Sequence, residues 1–147
     1  PTFNSYRLFS PGTFAPPSLS WGYENRTTCL RVVGHDAGSL RVENRLPGAD
    51  TNPYLTAAAT IAAGVAGIIE GAEPDPETIG SGYAQTPPRD FARSMPEAIE
   101  RLSGSEFAKD WLGARFVEGF TSTRSGQYDE FRRKVPDVEL ERFFDLG

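Results

Sequence analysis

The sequence holds one cysteine and one histidine, and each scarcity limits what this chain can do. Cys29 has no second cysteine to pair with, so the chain has no internal disulfide, which fits a reducing compartment. His35 alone excludes a histidine-rich metal site built within this chain. A phosphate-binding glycine-rich loop of either common type is also missing, and no Ser-His-Asp or Cys-His combination for nucleophilic catalysis is evident.

Positive charge is scarce overall, because 15 basic residues face 20 acidic ones and the net charge is −5. A nucleic-acid partner is therefore not indicated. The distribution is uneven: residues 1–51 carry five arginines against four carboxylates, whereas the rest of the chain is strongly acidic. We expect an anionic ligand to bind in this front third.

A secretion signal is not evident, and the chain starts at Pro1 without a methionine. Its first residues read like the interior of a domain, so we expect it to be part of a longer protein. Hydrophobic residues make up 38% and aromatic residues 12%, enough for a folded core rather than a disordered segment. The missing signal leads us to expect a cytoplasmic protein.

Charge is absent from residues 54–69, where alanine, glycine and threonine predominate. Asn52 is a good N-cap, and Pro53 suits the first position of a helix. A membrane span is the alternative, but the stretch is shorter than the ~20 residues that a span needs. An uncharged helix of this kind is typical of a protein interior, so we expect it to be buried and not to contact a membrane.

The rest of the chain predicts one short strand, a polar surface excursion and several helices. The strand is expected at 4–9 and the excursion at 70–89. Capping serines mark two helix starts, and a Val-Pro pair separates the last two helices. These helices are expected at 95–102, from Ser105 to Gly113, at 114–134 and after Asp137.

Two alternating segments at 27–46 predict a two-stranded ribbon, with His35–Gly38 as its turn and Gly38 able to adopt a positive φ. In the second segment Arg41, Glu43 and Arg45 fall on one face, because side chains alternate along a strand.

Arg26 and Arg31 belong to the first half of this region and can converge on the same face. Two interpretations remain open. The pattern alone favours a solvated strand face with an internal ion pair, which is common in antiparallel sheets. The exclusive use of arginine instead favours a site for phosphate or carboxylate, since guanidinium groups make forked contacts with both.

Several short motifs in this region resemble the C-terminal part of the glutamine synthetase family. Their order and spacing match over about the first 70 residues, and Pro96–Ile99 and Glu139–Phe144 fit more loosely. The motifs are Asn4-Ser5-Tyr6, Pro11-Gly12, Ala15-Pro16, Trp21-Gly22-Tyr23, Asn25-Arg26-Thr27, Arg31, Arg41-Val42-Glu43-x-Arg45, Pro47–Asp50 and Asn52–Leu55.

The resemblance implies an α+β fold in which an antiparallel sheet is flanked by helices. Residues 1–147 would then be the C-terminal portion of one larger catalytic domain, and the full protein a ring-shaped homo-oligomer. Family members phosphorylate the γ-carboxylate of glutamate with ATP and then let an amine displace phosphate. The family's other metal ligands lie in an earlier part of its chain, so we expect this portion to be inactive alone.

The resemblance also implies roles for individual residues. Arg26 would face the transferring phosphoryl group as the catalytic arginine and would bind ATP phosphates together with Arg31 and Arg41. Glu43 would bind Mg²⁺ or Mn²⁺, and Arg45 would contact glutamate. Such roles agree with phosphoryl transfer, which depends on positioning and charge neutralisation.

Two departures from the family pattern matter for function. Glutamine synthetases have an acidic residue where this chain has Phe14, and that acid binds and deprotonates ammonium. Phe14 therefore favours a larger or less polar amine, such as a polyamine, ethanolamine or an aromatic amine. Leu8 replaces the arginine that holds the α-carboxylate of glutamate, which keeps open the alternative of a non-catalytic paralogue with a structural or regulatory role.

Overall fold

The computed structural model describes residues 2–9, 13–85 and 90–146. The Pro11-Gly12 motif lies outside the described residues. The chain divides into two compact units, Pro1–Arg93 and Ser94–Gly147. We describe each unit by itself.

The first unit carries a three-stranded sheet with strands β1 (Trp21–Tyr23), β2 (Leu30–Val33) and β3 (Arg41–Asn44), in that order. The β2–β3 pair is antiparallel, as the ribbon pattern predicts, whereas β1 joins β2 in parallel. Together with the helices described below, this confirms the predicted α+β class. The parallel pairing places the residues that follow β1 beside β2.

The turn between β2 and β3 is stabilised by a side chain. The carboxylate of Asp36 accepts hydrogen bonds from the backbone N–H groups of Gly38 and Ser39, both at 2.9 Å. Ser39 is also the main cause of the lowered pKa of Asp36. The positive φ of this turn falls on Gly34 (φ +117°) rather than on Gly38. A Cβ on Gly34 would also lie 2.5 Å from the Ser39 backbone, so the position requires glycine.

Residues Phe3–Phe9 form a 3₁₀ helix, so the strand predicted there is wrong. Local bonds favour the tighter turn: the backbone N–H of Thr2 donates to the Ser5 hydroxyl at 2.8 Å. Both hydroxyl groups, of Thr2 and Ser5, donate to Asp50 at 2.5 Å. These bonds, with Ser5 contributing most, lower the pKa of Asp50 to about 2.

Helix α1 (Pro53–Glu70) begins and ends as its caps predict. The side chain of Asn52 accepts hydrogen bonds from two backbone N–H groups, and Gly71 ends the helix in the left-handed conformation at φ 62°. By length and composition alone this helix is long and apolar enough to cross a membrane, but the core helix of a soluble protein can have the same length and composition.

The expectation that α1 is buried is wrong for the described residues. Only Ala62 and Ala66 are buried, and most of the other small side chains of the helix are exposed as well. The large exposed side chains of the helix are Tyr54, Ile61, Val65, Ile68 and Ile69.

The segment that follows α1 is tied to β1 and is not a loose surface excursion. The indole N–H of Trp21 donates to the Asp75 carbonyl at 2.6 Å. The side-chain amide of Asn25 donates to the Thr78 and Gly80 carbonyls at 3.0 and 2.8 Å. These bonds fix the turn after β1, on which Arg26 lies.

The second unit consists of helices α2 (Met95–Ser103), α3 (Glu106–Leu112), α4 (Ala114–Arg132) and α5 (Asp137–Phe143). Helix α4 packs against α2 and α3 through Val117, which is 2% exposed. The predicted caps are confirmed: Ser94 accepts from the Glu97 N–H and Ser105 from the Ala108 N–H. Helix α4 ends at Arg132, two residues before the predicted end.

Candidate functional site

Three of the predicted site residues share one face of the β2–β3 pair. Arg31 lies directly opposite Glu43 in the register, and Arg41 lies two residues before Glu43 on the same strand. The guanidinium of Arg31 donates to the Glu43 carboxylate at 3.1 Å. We call these three residues the arginine face.

Glu24 is a second carboxylate on Arg31, and sequence reasoning did not identify it. Its carboxylate accepts a hydrogen bond from the Arg31 guanidinium and another, at 3.3 Å, from the Gly34 N–H. The bond to Arg31, followed by the bond to Gly34, lowers the pKa of Glu24. Its backbone adopts φ 49°, a conformation that non-glycine residues rarely take and that often marks functional sites.

Arg31 keeps one hydrogen-bond donor unused within the described part of the chain. Its side chain is 13% exposed, and its Nε atom is buried without a hydrogen-bond partner there. Its bonds to Glu24 and Glu43, the former contributing most, raise the pKa of Arg31, so the group stays cationic. A buried cationic donor of this kind fits an oxygen of a bound anion.

Arg41 and Arg26 are both exposed. The guanidinium of Arg41 donates to the Ser39 carbonyl at 3.3 Å. Arg26 borders a shallow depression of about 350 Å³, which Glu77 and Ile79 also line. Both side chains are placed to meet a ligand that approaches the sheet from solvent.

Arg45 follows β3 and turns toward backbone rather than toward another side chain. Its guanidinium donates to three carbonyl oxygens, those of Arg26, Thr28 (3.0 Å) and Phe14 (3.2 Å). Phe14 itself is 89% exposed. The structure therefore brings Arg45 to the segment that carries Phe14 and to the turn that carries Arg26.

The described residues do not build a complete metal site. They contain no group of three or more histidine, cysteine, aspartate or glutamate side chains that could hold a metal ion. Glu43 supplies one carboxylate, whereas Mg²⁺ and Mn²⁺ require an oxygen-rich shell. A metal bound to Glu43 would need ligands from outside this part of the chain.

Sequence reasoning missed Glu24 because the relevant contact depends on the parallel pairing of β1 with β2. That pairing has no signal in the alternation of either strand. Glu24 does lie two residues before Arg26, in the turn that the resemblance singles out. The position of this carboxylate close to an arginine motif is the sequence signal from which its contact could have been predicted.

Comparison with known proteins shows the family of the chain. The family model of the glutamine synthetase catalytic domain matches residues 1–143, so the chain belongs to the glutamine synthetase family. The predicted family resemblance is thereby confirmed.

Two curated proteins and one solved structure show which members of the family the chain is similar to. The chain is 43% identical over 148 residues to gamma-glutamylethanolamide synthetase GlnA4 of Streptomyces coelicolor, covering 99% of this chain and 31% of that protein. It is 38% identical to type-1 glutamine synthetase 2 of Dictyostelium discoideum, covering 99% of this chain and 29% of that protein. A solved structure of apo GmaS without ligand matches 99% of this chain and 33% of its own length, with 28% identity and a TM-score of 0.82. The chain thus spans about a third of the length of these relatives.

Proposed function

We propose that the protein containing this chain is an ATP-dependent ligase that joins L-glutamate to an organic amine as a γ-glutamyl amide. The observation that carries the proposal is the exposed phenyl ring of Phe14, whose backbone is held by Arg45 within 3.2 Å. The 43% sequence identity to a gamma-glutamylethanolamide synthetase supports an organic amine as the second substrate.

The proposed reaction has two steps. An oxygen of the glutamate γ-carboxylate attacks the γ-phosphorus of ATP, and ADP leaves. The nitrogen of the amine then attacks the acyl carbon, phosphate leaves, and the amine nitrogen loses a proton. Both steps build negative charge on phosphate oxygens, which fixed cations stabilise in a preorganised site.

The arginine face suits this charge distribution. Arg31 and Arg41 project from one side of the sheet, and Arg31 retains a buried Nε donor. We infer that these two residues hold ATP phosphates and that Arg26, on the anchored turn after β1, faces the transferred phosphoryl group. Arg45 is assigned to the glutamate side of the site.

Phe14 explains the choice of amine in physical terms. Ammonium is a small cation that needs a carboxylate nearby to bind and to accept its proton. A phenyl ring cannot accept that proton, but it offers apolar contact to the carbon chain of an organic amine. Phe14 therefore favours an amine with a hydrocarbon portion and disfavours ammonium.

We further propose that the chain works as the C-terminal portion of a larger catalytic domain in an oligomer. The supporting facts are that it spans about a third of its relatives and that one carboxylate, Glu43, cannot complete a metal shell. Mg²⁺ or Mn²⁺ would then be bound jointly by Glu43 and ligands elsewhere. The chain alone is expected to be inactive.

The experiment compares the complete gene product with its Phe14→Glu variant. Phosphate release from ATP is measured with L-glutamate and, in turn, ammonium, ethanolamine, putrescine and aniline. The wild type should depend on one organic amine, and Phe14→Glu should lose that dependence and gain activity with ammonium. Phe144→Glu, which alters another exposed phenylalanine (78% exposed), is the matched control and should leave the amine preference unchanged.

Two results would contradict the proposal. Wild-type release with ammonium but with no organic amine would make it a glutamine synthetase, in line with the Dictyostelium relative. A Phe14→Glu variant with unaltered preference would remove Phe14 from the amine site.

A second candidate, a non-catalytic paralogue, rests on Leu8. This side chain is 46% exposed and approaches the loop before α1, since a Cβ on Gly48 would lie 3.1 Å from its Cδ1 atom. An arginine that would bind the glutamate carboxylate is missing there. ATP binding without phosphate release for any amine would favour this candidate, and recovery of release in Leu8→Arg would confirm the reason.

A further inference from the structure

Two arginines from distant parts of the chain hold the backbone of the segment Thr13–Pro17. Arg45 donates to the carbonyl of Phe14 at 3.2 Å, and Arg93 donates to the carbonyl of Pro17. The two carbonyls lie three residues apart, one at each end of a Phe-Ala-Pro-Pro stretch. Each bond crosses a long stretch of sequence, 31 and 76 residues respectively.

The guanidinium of Arg93 is itself fixed in place. The carboxylate of Asp90 accepts from its terminal nitrogen at 2.9 Å and from its Nε at 3.4 Å. Its carbon lies 4.3 Å from the centre of the Phe91 ring, a cation–π distance. Phe91 is buried and packs against Phe9 with ring centres 4.4 Å apart. Arg93 therefore links Pro17 to a rigid aromatic pair.

The segment between the two arginines has little freedom of its own. Pro16 is fully buried, and the adjacent Pro17 has a fixed φ. Phe14 stands at the other end with its side chain 89% exposed. The backbone is thus held while the ring remains available to a ligand.

We propose that Arg93 is a positioning residue that sets amine selectivity by fixing the segment that presents Phe14. This inference rests on the proposed function, since it assigns Phe14 to the amine site. Arg93 does not touch the substrate. It limits the positions that the ring can take, and contacts to a substrate lose strength quickly when the contacting group is displaced.

A purely structural role makes a different prediction. If Arg93 only stabilised the fold, its loss would lower the stability of the protein and change turnover with every amine by the same factor. A positioning role changes the ratio of kcat/KM values between the organic amine and ammonium, while the KM values for ATP and glutamate stay the same.

The test uses three variants in the complete gene product. Arg93→Gln removes the charge, Arg93→Lys keeps it without the forked geometry, and Asp90→Asn weakens the hold on Arg93 from the other side. Arg101→Gln is the matched control, because Arg101 is also paired with a carboxylate, that of Glu97 at 2.5 Å. We measure the kcat/KM ratio of ethanolamine to ammonium and the KM for ATP and for glutamate.

We expect Arg93→Gln to lower that ratio about fivefold, because the variant loses one net hydrogen bond that positions the segment. Asp90→Asn should lower it less, Arg93→Lys should restore part of it, and Arg101→Gln should leave it unchanged. An unchanged ratio in Arg93→Gln, or a uniform loss with both amines, would overturn the inference while leaving the proposed function intact.

A second readout does not depend on catalysis. Proteinase K is applied to the folded protein, and cuts between residues 13 and 19 are located by mass spectrometry. Arg93→Gln should be cut there several-fold faster than Arg101→Gln, because local opening exposes the backbone. Equal rates would overturn the bracing role, whereas a wild type inactive with every amine would overturn the proposed function instead.

Discussion

The two compact units use their charged side chains differently. In Pro1–Arg93, arginines reach across the sequence: Arg31 pairs with carboxylates 7 and 12 residues away, and Arg45 bonds to a carbonyl 31 residues away. In the described part of Ser94–Gly147, the ion pairs are local helix pairs three or four residues apart, whereas the first unit adds such a local pair, Arg93–Asp90, to its long-range bonds. The local pairs of the second unit are Arg101–Glu97, Lys109–Glu106 and Lys134–Glu130.

This difference shows that local ion pairs stabilise single helices, whereas long-range arginine bonds hold the segments of a site together. A local exposed pair adds roughly 0.3–0.5 kcal/mol to the helix that carries it and joins nothing else. A long-range arginine bond fixes two segments relative to each other, which is what a site assembled from loops requires. The first unit, whose described residues form three short strands, therefore depends on its arginines for the geometry of the candidate site.

The largest expected effect comes from breaking the arginine face. Arg31→Met removes the shared partner of Glu24 and Glu43 and leaves two carboxylates close together without a cation. We expect Tm to fall by roughly 5 °C, because the two carboxylates, both partly exposed, then repel each other without a cation between them. Differential scanning calorimetry measures this shift.

The control in the second unit is Arg101→Gln, which also removes an arginine from a carboxylate partner. Arg31→Lys should recover part of the lost Tm, since the charge is kept. If Arg31→Met were no more damaging than removal of Arg101, the two units would not differ in the way described.

A helix cap gives the next largest effect. Ser94→Ala removes the side chain that accepts the Glu97 N–H at the start of α2. The free energy of unfolding should fall by about 1 kcal/mol, because a capped N-terminal donor loses its partner. Urea titration measures it, and Ser94→Asp, which can cap, should restore the value. An unchanged free energy would show that this cap does not hold the second unit together.

The pH dependence of stability tests the hydrogen bonds that Asp50 makes in the first unit. Its pKa of about 2 lies below the unfolded value of 3.8, so folding favours the charged carboxylate. The stabilisation is complete above pH 3.8 and is lost as pH falls through about 2. Asp50→Asn should therefore cost under ~1 kcal/mol near neutral pH, after allowance for solvent screening, and much less at pH 2, where about half of the folded carboxylates are protonated.

Urea titrations of both proteins at several pH values supply this comparison. A difference that does not change between neutral pH and pH 2 would mean that the bonds from Thr2 and Ser5 do not depend on the charge of Asp50.

The smallest effect is expected from a local ion pair. Arg101→Gln removes the exposed contact with Glu97 and should lower the free energy of unfolding by no more than ~0.5 kcal/mol. High salt should reduce even this difference, because exposed pairs are screened. A loss above 1 kcal/mol would place part of the second unit's stability in its ion pairs.

Local signals in the sequence predicted local structure well. The caps at Asn52, Ser94 and Ser105 are confirmed because each involves backbone groups only a few residues away. Alternation likewise placed Arg31 and Glu43 on one face, since hairpin register follows from the turn.

The predictions that failed concern contacts between residues distant in sequence, or features that the hydrophobic pattern does not encode. The 3₁₀ helix at Phe3–Phe9 is fixed by bonds to Asp50, which no local propensity encodes. The exposure of α1 could not be read from its uncharged composition, which a buried helix shares. Glu24 was missed because parallel pairing brings it to Arg31, and Arg93 because it bonds to Pro17 from 76 residues away.

The central claim is that the arginine face and the Phe14 segment form the phosphate and amine sides of one ligase site. The most direct test is product formation by the complete gene product with ATP, Mg²⁺, L-glutamate and either ethanolamine or ammonium, followed by mass spectrometry. The account predicts a γ-glutamyl amide of the organic amine, one phosphate released per amide, and little glutamine. Glutamine as the main product, or ATP binding without any amide, would contradict it.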